Sequence, residues 1–390
     1  MQALEILLME NNFSVGFHVK QIFKLIVMKQ IFKLVVTLCC FLGVTFSSTV
    51  TEAGVISEKQ EIEMGKAAAE QIEAHYGVLN DPMVTERVER IGQSLVAVCG
   101  RKNLTYTFKV LNTEDVNALA CPGGHIYVFK GLLDFMPSDG ELAAVLGHEI
   151  GHVVKRHTVH QIEKNMLTQM LAILAGVASG NGDVMAMGMV VSDALAAGYS
   201  RADESAADRE GFDYCLKAGY SPYAMLITMH KLQEMAERYG NPGWGIFDSH
   251  PEPEKRIQNM HKLLSPLKIT PNASKKADGG AFVRENFADG DWELIVRETA
   301  GGNDPYYRAE LLAGALYQVK QRAKDKIDPT HFIVFEAPDK AEIYYEDMQL
   351  FVVYRQDAAG FGSIGACAGD YVEKLRIWAE KVNEKSKLQK

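Results

Sequence analysis

Residues 148–152 read His148-Glu149-Ile150-Gly151-His152, two imidazoles four positions apart with a carboxylate directly after the first. On a helix, positions four apart share a face, so both rings can ligate one Zn2+ ion while Glu149 reaches a water beside it. The motif lies in an apolar helical pattern, Leu142, Val145, Leu146, Ile150, Val153 and Val154, opened by a Ser138/Glu141 capping box and expected to run to about Gln161. Uncompensated imidazoles and a carboxylate inside such a helix would be costly, which favours a metal over a purely structural role. A zinc enzyme needs a third protein ligand and an open fourth position. A glycine three and a histidine six residues beyond His152 would be one solution, but those positions hold Lys155 and Thr158. A carboxylate on a later helix is the other, and Glu204 in Ser200-Arg201-Ala202-Asp203-Glu204-Ser205-Ala206-Ala207-Asp208 fits it. Asp208, four residues on, shares its face and can accept the spare N–H of a ligating histidine. Ala202, Ala206, Ala207 and Gly211 would let this helix pack closely on the first. The competing reading is a solvated acidic face laced with Arg201 and Arg209.

The elements that must position these groups are legible from caps and periodicity. Ser57 with Gln60 opens a helix to about His75, and Asp81-Pro82 opens a second with Val84, Val88, Ile91 and Leu95 on one face. Short strands follow at Thr105–Leu111, Val116–Ala120 and His125–Phe129, the last two joined by Pro122-Gly123-Gly124. Helices are expected at about Arg201–Lys217 and Tyr223–Arg238. The polar stretch 265–280 reads as a linker between residues 54–264 and an accessory region, 281–390, with a helix at Tyr306–Ala323, strands at His331–Glu336 and Met348–Arg355, and a helix at Tyr371–Lys385. The fold class is α+β: a mainly helical domain with a small β-sheet, plus a C-terminal α+β domain.

The amino terminus carries Lys29 and Lys33, an uncharged apolar run from Leu34 to Phe46, then small residues to Ala53. That order predicts a signal peptide over residues 1–53, with the true start at Met28, just before residues 29–36 nearly repeat residues 20–27, and an exported, periplasmic protein. The chain has 390 residues with 41 basic against 50 acidic side chains, a formal charge of −9, and no long basic run. This excludes binding to nucleic acid through its phosphates. Six cysteines are too few for a disulfide scaffold of this length. The Met-, Ala- and Gly-rich stretch Met166–Gly198 reads as two buried or interfacial helices joined at Gly180-Asn181-Gly182, with peripheral membrane contact as one use and a membrane hairpin as the rival.

Four blocks in this order resemble the zinc metallopeptidase family of the CAAX prenyl endopeptidase, HtpX, mitochondrial Oma and BepA, peptidase family M forty-eight. They are Asn117-Ala118 through Pro122-Gly123-Gly124, Glu141-Leu142-Ala143 into His148-Glu149 and His152, Ser200-Arg201 through Glu204 to Asp208, and His250-Pro251 to Arg256-Ile257. The resemblance covers about Ser57 to Leu264. It implies one zinc ion per chain held by His148, His152 and Glu204, with Glu149 as general base and Asp208 behind the ligands. Residues 281–390 lack the tetratricopeptide repeats of the BepA-like members, so those partner interactions do not carry over.

On that reading the chain is an exported zinc metalloendopeptidase acting on unfolded or misassembled envelope polypeptides. The rivals are an envelope chaperone with a latent metal site and a membrane-embedded protease of the HtpX type. His250 is the candidate second donor to the oxyanion; in some relatives the matching histidine caps the zinc, which would make it an inhibitory switch. The strand His125–Phe129 is expected to edge the site and accept a peptide as an added strand. His125 reads as a surface strand residue, and His157 and His160 as pointing elsewhere on the helix, structural or solvent-facing. Cys121 reads as a small buried hydrophobe, and Met185, Met187 and Met189 as core. The sequence sets no oligomeric state.

Overall fold

The structure, a computed structural model, describes residues 55–165, 183–239, 250 and 253–388. The chain divides into two compact units, Met1–Ala53 and Gly54–Lys390, and every described residue belongs to the second. The expected signal segment, the start at Met28 and the Gly180-Asn181-Gly182 joint lie outside the described residues.

Helix α1 (Glu58–Tyr76) begins at a reciprocal cap, in which Gln60 N–H donates to Ser57 Oγ and Ser57 N–H to Gln60 Oε1. Helix α2 (Pro82–Val96) starts where the Asp81 carboxylate accepts from Met83 and Val84 N–H. Both caps satisfy orphan donors of the first turn, so these starts were readable locally. Strands β1 (Thr107–Leu111), β2 (Ala118–Cys121) and β3 (His125–Phe129) form a sheet in the order β1-β3-β2. The Pro122-Gly123-Gly124 turn folds β3 antiparallel to β2, and β1 joins the other side of β3 in parallel. This corrects the expectation for His125–Phe129: β3 is the central strand, and β2 is the edge that lies against the motif helix. The turn needs glycine, since Gly123 has φ 76° and packs under α1, where a Cβ on Gly65 would fall 1.8 Å from Pro122 O.

After the short α3 (Lys130–Phe135) comes α4 (Asp139–Val154), which carries His148, Glu149 and His152. It ends seven residues earlier than the apolar pattern suggested. Arg156 turns left-handed at φ 56°, and α5 (His157–Lys164) leaves in a new direction. The break is held from outside the helix: Arg156 donates to Glu61 Oε2 at 2.8 Å and to Ile56 O at 2.6 Å. Helices α6 (Asp183–Ala196), α7 (Arg201–Ala218), α8 (Ala224–Tyr239) and α9 (Pro253–Leu264) complete this lobe. Its core joins Ile91 and Leu95 of α2, Phe108, Ile126 and Val128 of the sheet, Leu142, Leu146 and Ile150 of α4, and Met260 of α9. No helix among the described residues is long and apolar enough to cross a membrane.

The 265–280 stretch read as a linker holds a 3-10 turn, Ser265–Leu267, and strand β4 (Asn272–Lys275), which pairs with β5 (Ala281–Glu285). Together β4, β5 and β6 (Trp292–Val296) form one antiparallel sheet; β7 (Phe332–Glu336), β8 (Lys340–Tyr345) and β9 (Met348–Tyr354) form another. Helices α10 (Pro305–Ala323) and α11 (Ile364–Leu388) complete the second core with Leu312, Leu316, Trp378 and Leu375. Cys99, Cys121, Cys215 and Cys367 are buried and unpaired.

Candidate metal centre

Helix α4 begins at the expected capping box, with Glu141 N–H donating to Ser138 Oγ and Ser138 N–H to Glu141 Oε2. Its middle is enclosed: His148 is 5% exposed, Glu149 1% and His152 1%. Helix α7 starts at a second capping box, Ser200 with Asp203, and presents Glu204 and Asp208, both buried, to α4. The two helices approach through glycine. A Cβ on Gly211 would lie 2.7 Å from His148 N, and one on Gly151 would lie 2.9 Å from Ala207 O, so any larger side chain would hold the helices apart. That approach brings Glu204 to 3.5 Å from His148 Nε2 and 3.3 Å from His152 Nε2, while the two Nε2 atoms stand 2.9 Å apart. The acidic stretch is therefore no solvated face.

The far side of each imidazole is also held. His148 Nδ1 lies 2.9 Å from Asp208 Oδ1. A carboxylate only accepts, so the His148 proton sits on Nδ1 and the Nε2 lone pair faces the cluster. Arg256 of α9 grips the same carboxylate through Nε at 2.8 Å and Nη2 at 2.6 Å, and its Nη1 lies 2.9 Å from Glu204 Oε2. Nη2 also lies 3.4 Å from His148 Nδ1, too long beside the 2.9 Å Asp208 contact to set the tautomer. Burial alone would raise the Asp208 and Glu204 carboxyls. The Arg256 charge with His148 overcomes this at Asp208, holding it at about 2, and His250, His148 and Arg256 hold Glu204 far below its usual range. Sequence reasoning quoted Arg256 only as part of a block; its role depends on α7 and α9 meeting.

His152 is held by residues the sequence reading left aside. Its ring stacks on Tyr199, centroids 3.8 Å apart, and Tyr199 Oη is fixed by Thr158 Oγ1 at 2.9 Å. Its Nδ1 lies 2.9 Å from His157 Nδ1. His157 therefore does not point elsewhere, because the bend at Arg156 turns it back under His152. His160 is exposed, as expected. His125 bonds Thr107 Oγ1 at 3.0 Å and takes no part in the cluster, and Cys121 is buried with its thiol pushed up by burial. Met189 is half-exposed, and the side chains of Met185 and Met187 lie outside the described residues.

His250 enters the same cluster. Its Nδ1 lies 2.9 Å from Glu204 Oε1 and 3.1 Å from His148 Nε2, and its Nε2 lies 3.5 Å from Glu149 Oε1. Ligand atoms of His148, His152, Glu204 and His250 all fall within 4.8 Å of one another. Lone pairs converging without an intervening proton repel unless a cation lies between them, and the donor set of imidazoles and one carboxylate suits a divalent transition metal. Two buried oxygens support the same fit: Glu149 Oε2 has no hydrogen-bond partner, and Glu204 Oε2 has none in bonding geometry despite the nearby Arg256 Nη1. Burial raises the Glu149 carboxyl, with His250 and His148 opposing.

Comparison with known proteins agrees with this geometry. Residues 82–264 match Peptidase family M48. The beta-barrel assembly-enhancing protease of Escherichia coli K12 is 30% identical over 231 residues, 56% of this chain and 47% of that protein. Metalloprotease YcaL of the same organism is 33% identical over 162 residues, 40% of this chain and 62% of that protein. The mitochondrial metalloendopeptidase OMA1 of Schizosaccharomyces pombe is 27% identical over 214 residues, 54% and 62% of the two chains. The chain thus spans about half the length of the beta-barrel assembly-enhancing proteases it matches. The motif helix, the distant carboxylate and the convergent ligand atoms all lie inside residues 82–264, the stretch that matches Peptidase family M48.

Proposed function

We propose that the chain is an exported zinc-dependent metalloendopeptidase that hydrolyses peptide bonds of unfolded or misassembled cell-envelope proteins. The observation that carries the chemistry is the convergence of His148, His152 and Glu204 beside an otherwise unpartnered Glu149 oxygen. The substrate class is supported by the similarity to the beta-barrel assembly-enhancing protease, and export by the amino-terminal charge pattern. His148, His152 and Glu204 would hold the zinc ion, which when bound supplies Lewis acidity at the scissile carbonyl and acidifies water nearby. Glu149 takes the proton of the attacking water and delivers it to the leaving amine, a role that its burial favours by bringing its proton affinity closer to neutrality. A substrate segment adds in extended form beside the edge strand β2, in place of the central β3.

His250 fills the side of the cluster that a catalytic site must leave open. In this closed arrangement it would serve as a fourth ligand and would have to withdraw before substrate enters. The test is Glu149→Gln. The variant and the parent chain should both bind zinc one to one, and the variant should lose casein cleavage by at least about 100-fold; undiminished cleavage would reject Glu149 as the base.

A further inference from the structure

We infer that His157 is a positioning residue of the metal centre, an imidazole that fixes the tautomer and ring plane of the ligand His152 and ties it to the helix bearing Glu204. The inference rests on the metal-site reading above.

Three observations carry it. The first is the bend. Had α4 continued, His157 would stand five residues beyond His152, about 140° around the helix, and could not touch it. Arg156 adopts φ 56°, a conformation that non-glycine residues seldom take and that persists only where the surroundings enforce it. Here Glu61 and Ile56 O enforce it, and the result is to bring His157 under His152. The second is the direction of the chain of contacts. His157 Nε2 faces Asp203 Oδ1 at 3.6 Å, an acceptor-only group that favours the proton on Nε2. His157 Nδ1 is then a lone pair, able to accept from His152 Nδ1–H at 2.9 Å. That in turn leaves the His152 Nε2 lone pair directed at His148 Nε2 and Glu204. The third is the anchor. Asp203 precedes Glu204, and its other oxygen accepts from Ser200 N–H and Oγ–H in the cap of α7. The sequence Asp203–His157–His152 does for one ligand what Arg256–Asp208 does for His148, with a neutral ring in contact with the ligand instead of a carboxylate.

The test uses the full chain and reads metal binding, not turnover. Zinc affinity is measured by competition with a chelator, and the cobalt-substituted protein is examined by visible absorption. His157→Ala should weaken zinc by about 10–100-fold and change the cobalt d–d bands, as expected when a group orienting a ligand histidine is lost. His157→Gln, whose carbonyl can accept from His152 Nδ1–H, should recover most of that affinity and the parental bands. An alanine variant with parental affinity and bands would overturn the assignment, and a glutamine variant no better than alanine would do the same. If the alanine variant does not fold, nitrogen NMR of the zinc-loaded parent chain decides: His152 with its proton on Nδ1 and His157 with its proton on Nε2 is the expected pair, and any other pair refutes it. A parent chain that binds neither zinc nor cobalt would instead sink the metal-site reading itself.

Discussion

Arg256 pairs with both Glu204 and Asp208 through one planar guanidinium, and those two carboxylates are 1% and 4% exposed. In the metal-free protein it helps, with His148 and His250, to hold their negative charges. Replacing one member of a buried ionic cluster strands the others, which typically costs about 3–5 kcal/mol. Arg256→Met should therefore lower the stability of chelator-treated protein by about 3 kcal/mol in urea denaturation. Arg256→Lys should rescue little, because one ammonium cannot reproduce the fork that spans both acids. A loss below about 1 kcal/mol would mean the carboxylates find other relief. His148, Glu149, His152, Glu204 and Asp208 were legible in the sequence because each relation among them is a short spacing on one helix or the demand for a third ligand. Arg256 and His157 were not. One reaches its partners only after α7 and α9 pack, and the other depends on a bend imposed by Glu61, a residue of α1.

At the scale of elements, the closeness of α4 and α7 decides whether ligands from two helices can share an ion. Gly211→Ala would place a methyl group 2.7 Å from His148 N and 2.8 Å from Gly147 C, against backbone that cannot swing away. The helices must separate, at about 1–3 kcal/mol. Because Glu204 and Asp208 ride on α7, zinc affinity should fall together with the melting temperature. Unchanged affinity in a destabilised variant would show that the glycine serves packing alone. Helix α10 supports a different prediction. Glu310 is 7% exposed, and burial pushes its carboxyl up to about 7 from the usual 4.5, with Tyr306 opposing through a hydrogen bond. A carboxyl with a raised folded pKa stays protonated in the native state while the unfolded chain ionises, so its contribution to stability is lost as pH rises from about 4.5 to about 7. The loss is on the order of 3 kcal/mol. Glu310→Gln, compared with the parent chain by urea denaturation, should gain stability at pH 8 and little at pH 5; an equal change at both would remove the carboxyl from the pH response. Helix starts were readable because Ser57, Asp81, Ser138 and Ser200 cap their own first turns. Strands β4 to β6 pair with their neighbours in sequence, yet they were missed: β4, with no buried residue, has the polar look of a linker, and β5 and β6 alternate over five residues each, too short a run to stand out.

Across Gly54–Lys390 the sequence suggested two regions joined by a polar linker at 265–280, and α10 serves both cores. Its Leu312, Leu316 and Val319 lie in the second core, while Leu311 and Tyr317 pack against the first; Tyr223 touches both. Polar contacts reinforce the seam. Gln318 Nε2 donates to Leu216 O at 3.0 Å and Tyr220 O at 2.8 Å, and Asn303 Nδ2 donates to Glu141 Oε2 at 3.0 Å, in the cap of the motif helix. Glu141 also pairs with the buried Lys231 at 2.7 Å. Melting either core alone would break these bonds beside a partner that is still folded and leave the buried Glu141 without its Asn303 donor, at about 1–3 kcal/mol. Calorimetry should accordingly show one transition whose calorimetric and van't Hoff enthalpies agree. Gln318→Ala should move that single transition to lower temperature without splitting it, since Tyr220 O loses the amide donor and Leu216 O keeps only Gly219 N–H. Two resolved transitions in the parent chain would mean that the lobes fold independently, and that the contact of Asn303 with the cap of α4 carries no mechanical coupling to the metal centre.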